Sequence, residues 1–219
     1  MNRQHVTLLV LLDLSSAFDT VNHDIMIRRL EMSFGITGTA LQWLRSYLSG
    51  RSQHVIENGE RSESLNLPFG VPQRSCLGPL FFTLYSSKLF EVIKPHLPEA
   101  HAYADDSLLY LSFKPNNEVN QSEAIKSMEL CIRTLRTWMW MDKLKLDDDK
   151  TEFMIIGSRQ KLEKVSVAEL SVGDISVAPA STARNLGVLF DRNLKFDAQI
   201  TKTCCTGYYY LHNIRKIRK

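Results

Sequence analysis

The sequence predicts an α+β domain in which helices pack on one face of an antiparallel sheet. Two strand-like apolar runs, near residues 6 and 105, are separated by segments of helical periodicity. The clearest amphipathic pattern spans residues 117–144, where Ile125, Met128 and Ile132 recur at intervals of three and four. The chain has 219 residues, 44% of them hydrophobic. It can therefore bury a core that serves one large or two small domains.

The other elements are predicted from periodicity and turn residues. Asn22 is a candidate N-cap for the first helix, and Asn58-Gly59 favours a tight hairpin turn. The order along the chain is a strand at 6–12, helices at 24–34 and 39–48, a hairpin at 53–67, a helix at 77–93, an acidic hairpin at 101–110, the long helix at 117–144, strands at 152–156, 165–171 and 185–190, and a helix with a basic face at 197–219.

Three carboxylates lie where apolar strands are expected. Asp105 and Asp106 are adjacent within residues 101–110, and Asp13 ends the apolar run at 6–12. Adjacent acids in such a segment repel each other and lose hydration, so a cation is expected to offset the cost. Oxygen ligands of this kind suit Mg²⁺, and the expected chemistry is phosphoryl or nucleotidyl transfer by two metals. The alternative is that Asp105-Asp106 forms an ordinary turn between two strands.

The charge distribution and the cysteine content indicate which partner and which cellular compartment to expect. The net charge is +3, but no acid follows Asp197, whereas five cations do: Lys202, Arg215, Lys216, Arg218 and Lys219. This tail can track a nucleic-acid backbone or form a solvated helix end. The four cysteines show neither zinc-finger spacing nor the density of a disulfide scaffold, which favours an intracellular, reduced protein.

The amino-terminal segment imitates a signal peptide without matching one. Residues 1–17 contain Arg3, an apolar stretch and small residues, but Asp13 interrupts the apolar continuation. A buried strand is the better interpretation. The sequence has no run near the ~18 apolar residues of a membrane span.

Three motifs resemble the reverse transcriptases of non-LTR retrotransposons, the LINE-type elements, and look closest to the chicken-repeat and L2-like lineages. Residues 12–23 read LDLSSAFDTVNH, residues 70–80 read GVPQRSCLGPL, and residues 103–106 read YADD. The resemblance covers nearly the whole chain. It implies a reverse-transcriptase palm with a ferredoxin-like sheet over residues 1–194 and a partial thumb helix at 195–219.

The resemblance assigns catalytic roles to four residues. It implies that Asp13, Asp105 and Asp106 hold two Mg²⁺ ions, with Mn²⁺ as a substitute. It makes Lys150, in Lys150-Thr151-Glu152, a candidate proton donor to the departing pyrophosphate. The alternative for Lys150 is an ordinary solvated lysine after an acidic turn.

The resemblance also assigns binding residues. Phe18 matches the bulky gate below the nucleotide sugar, which favours deoxynucleotides, although a buried core phenylalanine is the alternative. Gln73 matches a contact to the incoming nucleotide. Leu186 and Gly187 match the primer grip, where backbone close to the primer end favours glycine; a simple hairpin glycine is the alternative.

Two departures from the family pattern stand out. Arg74 occupies a position where family members usually carry glycine, and its side chain is expected to obstruct substrate or distort the loop. Asp13 lies only twelve residues from Met1, so most of the fingers segment that normally precedes it is expected to be missing. The chain by itself is therefore not expected to be a competent polymerase, because positioning supplies much of phosphoryl-transfer catalysis.

The implied reaction is RNA-directed DNA synthesis, in which a primer 3′-hydroxyl attacks the α-phosphate of a dNTP. The expected partners are an RNA template, a DNA primer and dNTP, with no membrane partner and an open oligomeric state. The expected location is nuclear or cytoplasmic, as a ribonucleoprotein. Two alternatives are a decayed or domesticated fragment that binds nucleic acid without catalysis, and an RNA-dependent RNA polymerase, against which Phe18 argues.

Overall fold

The computed structural model describes residues 4–96 and 99–218, so Lys219 of the basic tail lies outside the described residues. The elements in chain order are β1 (Val6–Leu12), α1 (His23–Phe34), α2 (Gly38–Leu48), β2 (Ser52–Gln53), β3 (Ile56–Glu57), β4 (Glu60–Arg61), β5 (Leu65–Asn66), α3 (Gly78–Tyr85), α4 (Leu89–Ile93), β6 (Glu99–Tyr103), β7 (Asp106–Phe113), α5 (Glu118–Met141), a 3₁₀ turn (Asp148–Lys150), β8 (Glu152–Ile156), α6 (Arg159–Leu162), β9 (Leu170–Val172), β10 (Ile175–Val177), β11 (Thr182–Asn185), β12 (Val188–Asp191) and α7 (Asp197–Ile217).

The centre of the fold is a four-stranded antiparallel sheet in the order β6-β7-β1-β8. Leu12 of β1 pairs with Ser107 of β7, and Leu11 pairs with Glu152 of β8. Strands β1 and β7 are therefore the two central strands, as predicted for the acidic segments. The predicted α+β architecture is confirmed.

Side chains of β1 alternate between two apolar clusters, as a strand requires. Val6, Leu8, Val10 and Leu12 are buried in the larger cluster, which includes residues of α1, α3 and α5. On the opposite face, Leu9 is buried in a smaller cluster with residues from β8 and β11. The helices thus cover one face of the sheet, and the β11–β12 hairpin lies against part of the other.

The first helix begins as its sequence predicts. The Asn22 side chain accepts a hydrogen bond of 3.0 Å from the Ile25 amide, which satisfies one of the free donors of the first turn. At the other end Gly35 adopts φ +66°, the left-handed conformation that ends many helices. Helix α1 begins just after the segment that carries Asp13 and Phe18.

One helix predicted over residues 77–93 is two helices in the structure, α3 and α4, with a break after Tyr85. The Tyr85 carbonyl accepts a hydrogen bond from the buried guanidinium of Arg29. The Ser86 hydroxyl also donates to the Phe82 carbonyl at 2.9 Å. Because side chains satisfy these carbonyls, the helix can end without burying unpaired acceptors.

Two predicted strands were also placed imperfectly. Residues 185–190 contain a turn rather than one strand: Leu186 and Gly187 adopt φ +47° and +84° and connect β11 to β12. Of residues 165–171, only Leu170 and Ser171 belong to a strand, β9. Ser166 is instead held by the Gln121 side-chain carbonyl, which accepts from its amide at 2.9 Å.

The terminal helix α7 projects from the domain. No residue within Asp197–Ile217 is buried, and its exposed side chains include Tyr208, Tyr209 and Tyr210. Its described contact with the domain is near β12, where the Gln199 side chain accepts from the Leu189 amide at 3.0 Å. Across residues 4–96 and 99–218, the helices lack the combination of length and hydropathy that a bilayer span requires.

Candidate active site

An open cavity of about 490 Å³ lies at the end of β1, beside the acidic hairpin. Six of its lining residues are among those predicted from the sequence: Asp13, Phe18, Gln73, Arg74, Asp105 and Lys150. Residues from four separate parts of the chain therefore meet around one space.

The acidic hairpin places its two carboxylates at different points. Tyr103 pairs with Asp106, so Ala104 and Asp105 form the two-residue turn between β6 and β7. Ala104 adopts φ +54°, as tight hairpin turns require of their first central residue. The turn alternative therefore holds for Asp105 only, because Asp106 is paired in β7. Asp105 lies at the tip, and Asp106 begins the central strand.

Asp13 and Asp106 are neighbours across the sheet. The Leu12–Ser107 pair is the last of the β1–β7 ladder, and Asp13 and Asp106 follow it on the two strands. Partial loss of hydration raises the pKa of the Asp106 carboxyl although the residue is exposed, and the negative charges of Asp105 and Asp13 raise it further. The Asp106 carboxylate therefore lies within electrostatic reach of both Asp105 and Asp13.

The ammonium of Lys150 neutralises part of this charge. Its Nζ lies 3.0 Å from an Asp13 carboxylate oxygen and 3.0 Å from an Asp147 carboxylate oxygen. Hydrogen bonds to Asp13 and then Asp147 raise the pKa of Lys150, so it is charged at neutral pH. The Asp147 amide also donates to the Asp13 carbonyl at 2.9 Å, which fastens this loop to the end of β1.

The donor chemistry fits a divalent metal, although the side chains are not arranged around one. Within residues 4–96 and 99–218, no three His, Cys, Asp or Glu side chains converge closely enough to hold an ion. The carboxylates of Asp13, Asp105 and Asp106 supply only oxygen, the ligand type that Mg²⁺ prefers. At Asp13, the Lys150 ammonium stands where a cation would bind. The described residues thus show the ligand type that Mg²⁺ prefers but not a formed metal site.

Replacement of Asp106 by asparagine is expected to stabilise the metal-free protein. The folded-state pKa of this carboxyl is raised, so its ionisation opposes folding; the penalty is full above that pKa and disappears below the unfolded value. At pH 7 we expect Asp106→Asn to raise Tm by about 1–3 °C, allowing for solvent screening. Thermal unfolding at pH 7 and pH 3 checks this. A lower Tm at pH 7 would contradict the assigned repulsion.

Phe18 lies at the cavity and also packs against the core. Its half-buried ring packs on Phe82, with the ring centroids 5.0 Å apart. It also lines the cavity next to Asp13. The position agrees with a gate, and the packing shows that the side chain also supports the core.

Arg74 has a backbone conformation that explains why glycine suits this position. Its φ is +62°, in the left-handed region that costs most residues about 1–2 kcal/mol. Any residue with a Cβ is therefore strained in this backbone conformation, which is the distortion that the sequence predicts for the loop. The long Arg74 side chain also lies at the cavity wall. Gln73, the preceding residue, is exposed and lines the same cavity.

Replacement of Arg74 by glycine is expected to raise the free energy of unfolding by about 0.5–1 kcal/mol, because relief of the left-handed strain exceeds the entropy that glycine loses on folding. Urea unfolding of the 219-residue chain measures this. Arg74→Ala serves as the matched control, since it removes the charge and keeps the strain. An equal gain in both variants would assign the effect to the side chain instead.

Leu186 and Gly187 lie outside the main cavity, in the turn between β11 and β12. The preceding residues, Arg184 and Asn185, line a smaller cavity of about 160 Å³ together with Asp13 and Asp106. A Cβ at Gly187 would meet no atom within 4 Å, so its φ of +84° explains the glycine better than a close contact within this chain does.

Two carboxylates at the site were missed by sequence reasoning. Asp147 binds Lys150, and the i, i+3 spacing was an available signal for this pair. Asp19 accepts hydrogen bonds from the Gln73 side chain, 54 positions away. No local pattern connects two residues so far apart in the chain.

Comparisons with known proteins agree with one another. A family model described as reverse transcriptase (RNA-dependent DNA polymerase) matches residues 1–190. The chain is 28% identical over 214 residues to the probable RNA-directed DNA polymerase from transposon BS of Drosophila melanogaster, which covers 94% of this chain and 22% of that protein. It is 22% identical over 194 residues to the RNA-directed DNA polymerase from mobile element jockey of the same organism, covering 87% and 20%.

A solved structure shares the fold. Apo telomerase from Candida tropicalis superposes with a TM-score of 0.58 at 13% identity, over 88% of this chain and 35% of that one. At this identity the likeness concerns the fold alone. The chain spans about a fifth of the length of the curated relatives that it matches.

Proposed function

Because this chain belongs to the reverse transcriptase family, we propose that it supplies the catalytic palm for RNA-directed DNA synthesis. The resemblance to LINE-type reverse transcriptases predicted from three motifs is confirmed by the family match and the transposon relatives. The observation that supports the activity best is the single cavity lined by Asp13, Asp105, Phe18, Gln73 and Lys150.

The proposed substrates are a dNTP and a primer 3′-end paired to an RNA template, and the proposed cofactor is a pair of Mg²⁺ ions. When bound, the metals would activate the attacking hydroxyl and stabilise the leaving oxygen. Asp13, Asp105 and Asp106 would hold them, because these carboxylates face the two adjoining cavities. We propose that residues 1–194 form the palm and residues 195–219 begin the thumb, since α7 projects from the domain without buried residues.

The other residues of the cavity orient the substrate and move a proton. Phe18 would exclude a 2′-hydroxyl, and Gln73 would contact the incoming nucleotide. Lys150 is charged at neutral pH and lines the same cavity, so it would donate a proton to the departing pyrophosphate.

Replacement of Phe18 by valine is expected to raise incorporation of rNTP relative to dNTP, because the smaller side chain leaves room for a 2′-hydroxyl. The ratio of kcat/KM for the two substrates measures this in a transposon BS polymerase whose matching segment is replaced by this chain, because the chain by itself is not expected to extend a primer. Phe82→Leu is a suitable control, because it disturbs the ring on which Phe18 packs and leaves the cavity wall in place. If both variants change the ratio equally, Phe18 acts only through packing.

The direct test replaces the matching segment of the transposon BS polymerase with this chain and measures extension of a DNA primer on an RNA template. We expect extension with dNTP and Mg²⁺, and a loss of roughly 10³-fold in Asp105→Asn, since metals contribute several kcal/mol to such reactions. The relative's own segment is the positive control. A chimaera that folds and binds the primer–template without extending it would favour the non-catalytic alternative, and a preference for rNTP would favour an RNA polymerase.

A further inference from the structure

The segment that follows Asp13 and the loop that carries Gln73 are joined by backbone hydrogen bonds. The Gly70 amide donates to the Val21 carbonyl at 2.8 Å, and the Val71 amide donates to the Phe18 carbonyl at 2.8 Å. A ring nitrogen of His23 lies 2.7 Å from the Gly70 carbonyl. The two segments are thus held together at three points over a short stretch.

Gly70 makes the contact between these segments unusually close. Its φ is +84°, and a Cβ built there would lie 2.9 Å from the Asp19 carbonyl oxygen. A side chain at position 70 would therefore force the two backbones apart. Asp19 is placed directly over the start of the nucleotide loop, residues 70–80.

Asp19 also contacts the side chain of Gln73. The Gln73 Nε2 lies 3.4 Å and 3.3 Å from the two carboxylate oxygens of Asp19. An ionised carboxylate only accepts hydrogen bonds, so the amide group of Gln73 must turn its NH₂ toward Asp19. The amide orientation therefore follows from chemistry, and the carbonyl oxygen Oε1 is left for another donor.

We infer that Asp19 is a positioning residue, which orients the Gln73 amide for the incoming nucleotide. Gln73 lines the cavity, whereas Asp19 is not among its lining residues, so Asp19 acts through Gln73. This inference rests on the proposed function, because it assumes that the ligand of the cavity is a nucleotide.

The benefit is a smaller loss of side-chain freedom when the nucleotide binds. Glutamine has many rotamers, and a ligand that must order it binds more weakly than one that meets an oriented amide. Loss of the Asp19 carboxylate is therefore expected to weaken nucleotide binding about three- to tenfold. The contact distances of 3.4 and 3.3 Å are long for hydrogen bonds, so the expected effect is modest.

The first experiment needs no ligand. ¹⁵N relaxation of the Gln73 side-chain amide is measured in the 219-residue chain and in two variants. We expect an ordered amide in the original protein, a mobile one in Asp19→Leu, and restored order in Asp19→Asn, which keeps an acceptor oxygen. Equal mobility of the amide in the original protein and Asp19→Leu would overturn the inference.

The second experiment measures binding of dATP with Mg²⁺ to the same proteins by NMR titration. Asp19→Leu should weaken binding in the original chain and have no further effect in Gln73→Ala, because a residue that acts through another loses its effect when that residue is removed. An undiminished effect in Gln73→Ala would reject action through Gln73. If the original chain binds no dATP, the proposed nucleotide site fails, and the relaxation measurement still decides whether Asp19 orders Gln73.

Discussion

Replacement of Arg29 by methionine is expected to lower the free energy of unfolding by about 3–5 kcal/mol, because it leaves a buried carboxylate without its partner. The Arg29 guanidinium lies 2.7 Å from Asp142, and the two side chains are 6% and 13% exposed. Arg29 also donates to the Tyr85 carbonyl and lies over the Tyr85 ring. The Tyr85 hydroxyl in turn donates to the Asp142 carbonyl, and burial raises the pKa of Tyr85 to about 12.

These contacts join α1, α3 and the end of α5, so their loss affects three helices together. Urea unfolding provides the measurement. Arg28→Met is the matched control, since Arg28 is exposed one position earlier in the same helix and should change stability by less than about 0.5 kcal/mol. Removal of both charges in Arg29→Met/Asp142→Leu should recover part of the loss. A change below about 1 kcal/mol in Arg29→Met would show that Asp142 is solvated after all.

Replacement of Lys150 by methionine is expected to tighten Mn²⁺ binding about tenfold at low salt, since the variant no longer has a cation that competes for Asp13. Lys150 Nζ lies 3.0 Å from Asp13 and 3.0 Å from Asp147, so the ammonium must be displaced before Asp13 can bind a metal. In the transposon BS chimaera, the same variant should be slower in primer extension if Lys150 protonates the pyrophosphate. Tighter metal binding combined with weaker catalysis is a combination that a solvated lysine would not give.

Electron paramagnetic resonance of free Mn²⁺ measures the binding, and it can be performed on the 219-residue chain. The gain should shrink in high salt, where the charge of Lys150 is screened. Lys145→Met is the matched control, because Lys145 lies in the same loop and lines a different cavity. An unchanged dissociation constant for Mn²⁺ in Lys150→Met would show that Lys150 does not compete with the metal for Asp13.

The sequence predicts best those features whose causes are local. The apolar run of β1, the Asn22 cap and the apolar spacing within residues 117–144 all reappear in the structure. The sequence also predicts that the two acidic segments lie on neighbouring strands, because one cation near both would offset the cost of placing their carboxylates in apolar strands.

Features caused by distant residues escaped prediction. The helix expected over residues 77–93 is interrupted after Tyr85. The Tyr85 carbonyl accepts a hydrogen bond from Arg29, more than fifty positions earlier in the chain. The Asp19–Gln73 contact has the same origin, since only the folded loop brings the two side chains together. At Arg74 the family pattern indicated that glycine was preferred, but the positive φ that explains the preference became visible only in the backbone.

The position of β1 in the sheet also has a consequence during synthesis. Leu8 pairs with Leu111 on one side and with Ile155 on the other. Strand β1 is therefore synthesised long before the two strands that pair with it. At about 5–20 residues per second, a ribosome needs roughly 7–30 s to advance from Leu8 to Ile155. During that interval at least one edge of the apolar strand Val6–Leu12 lacks its partner and is open to intermolecular pairing. Production of this protein is therefore expected to benefit from slow expression and from chaperones that shield nascent apolar strands.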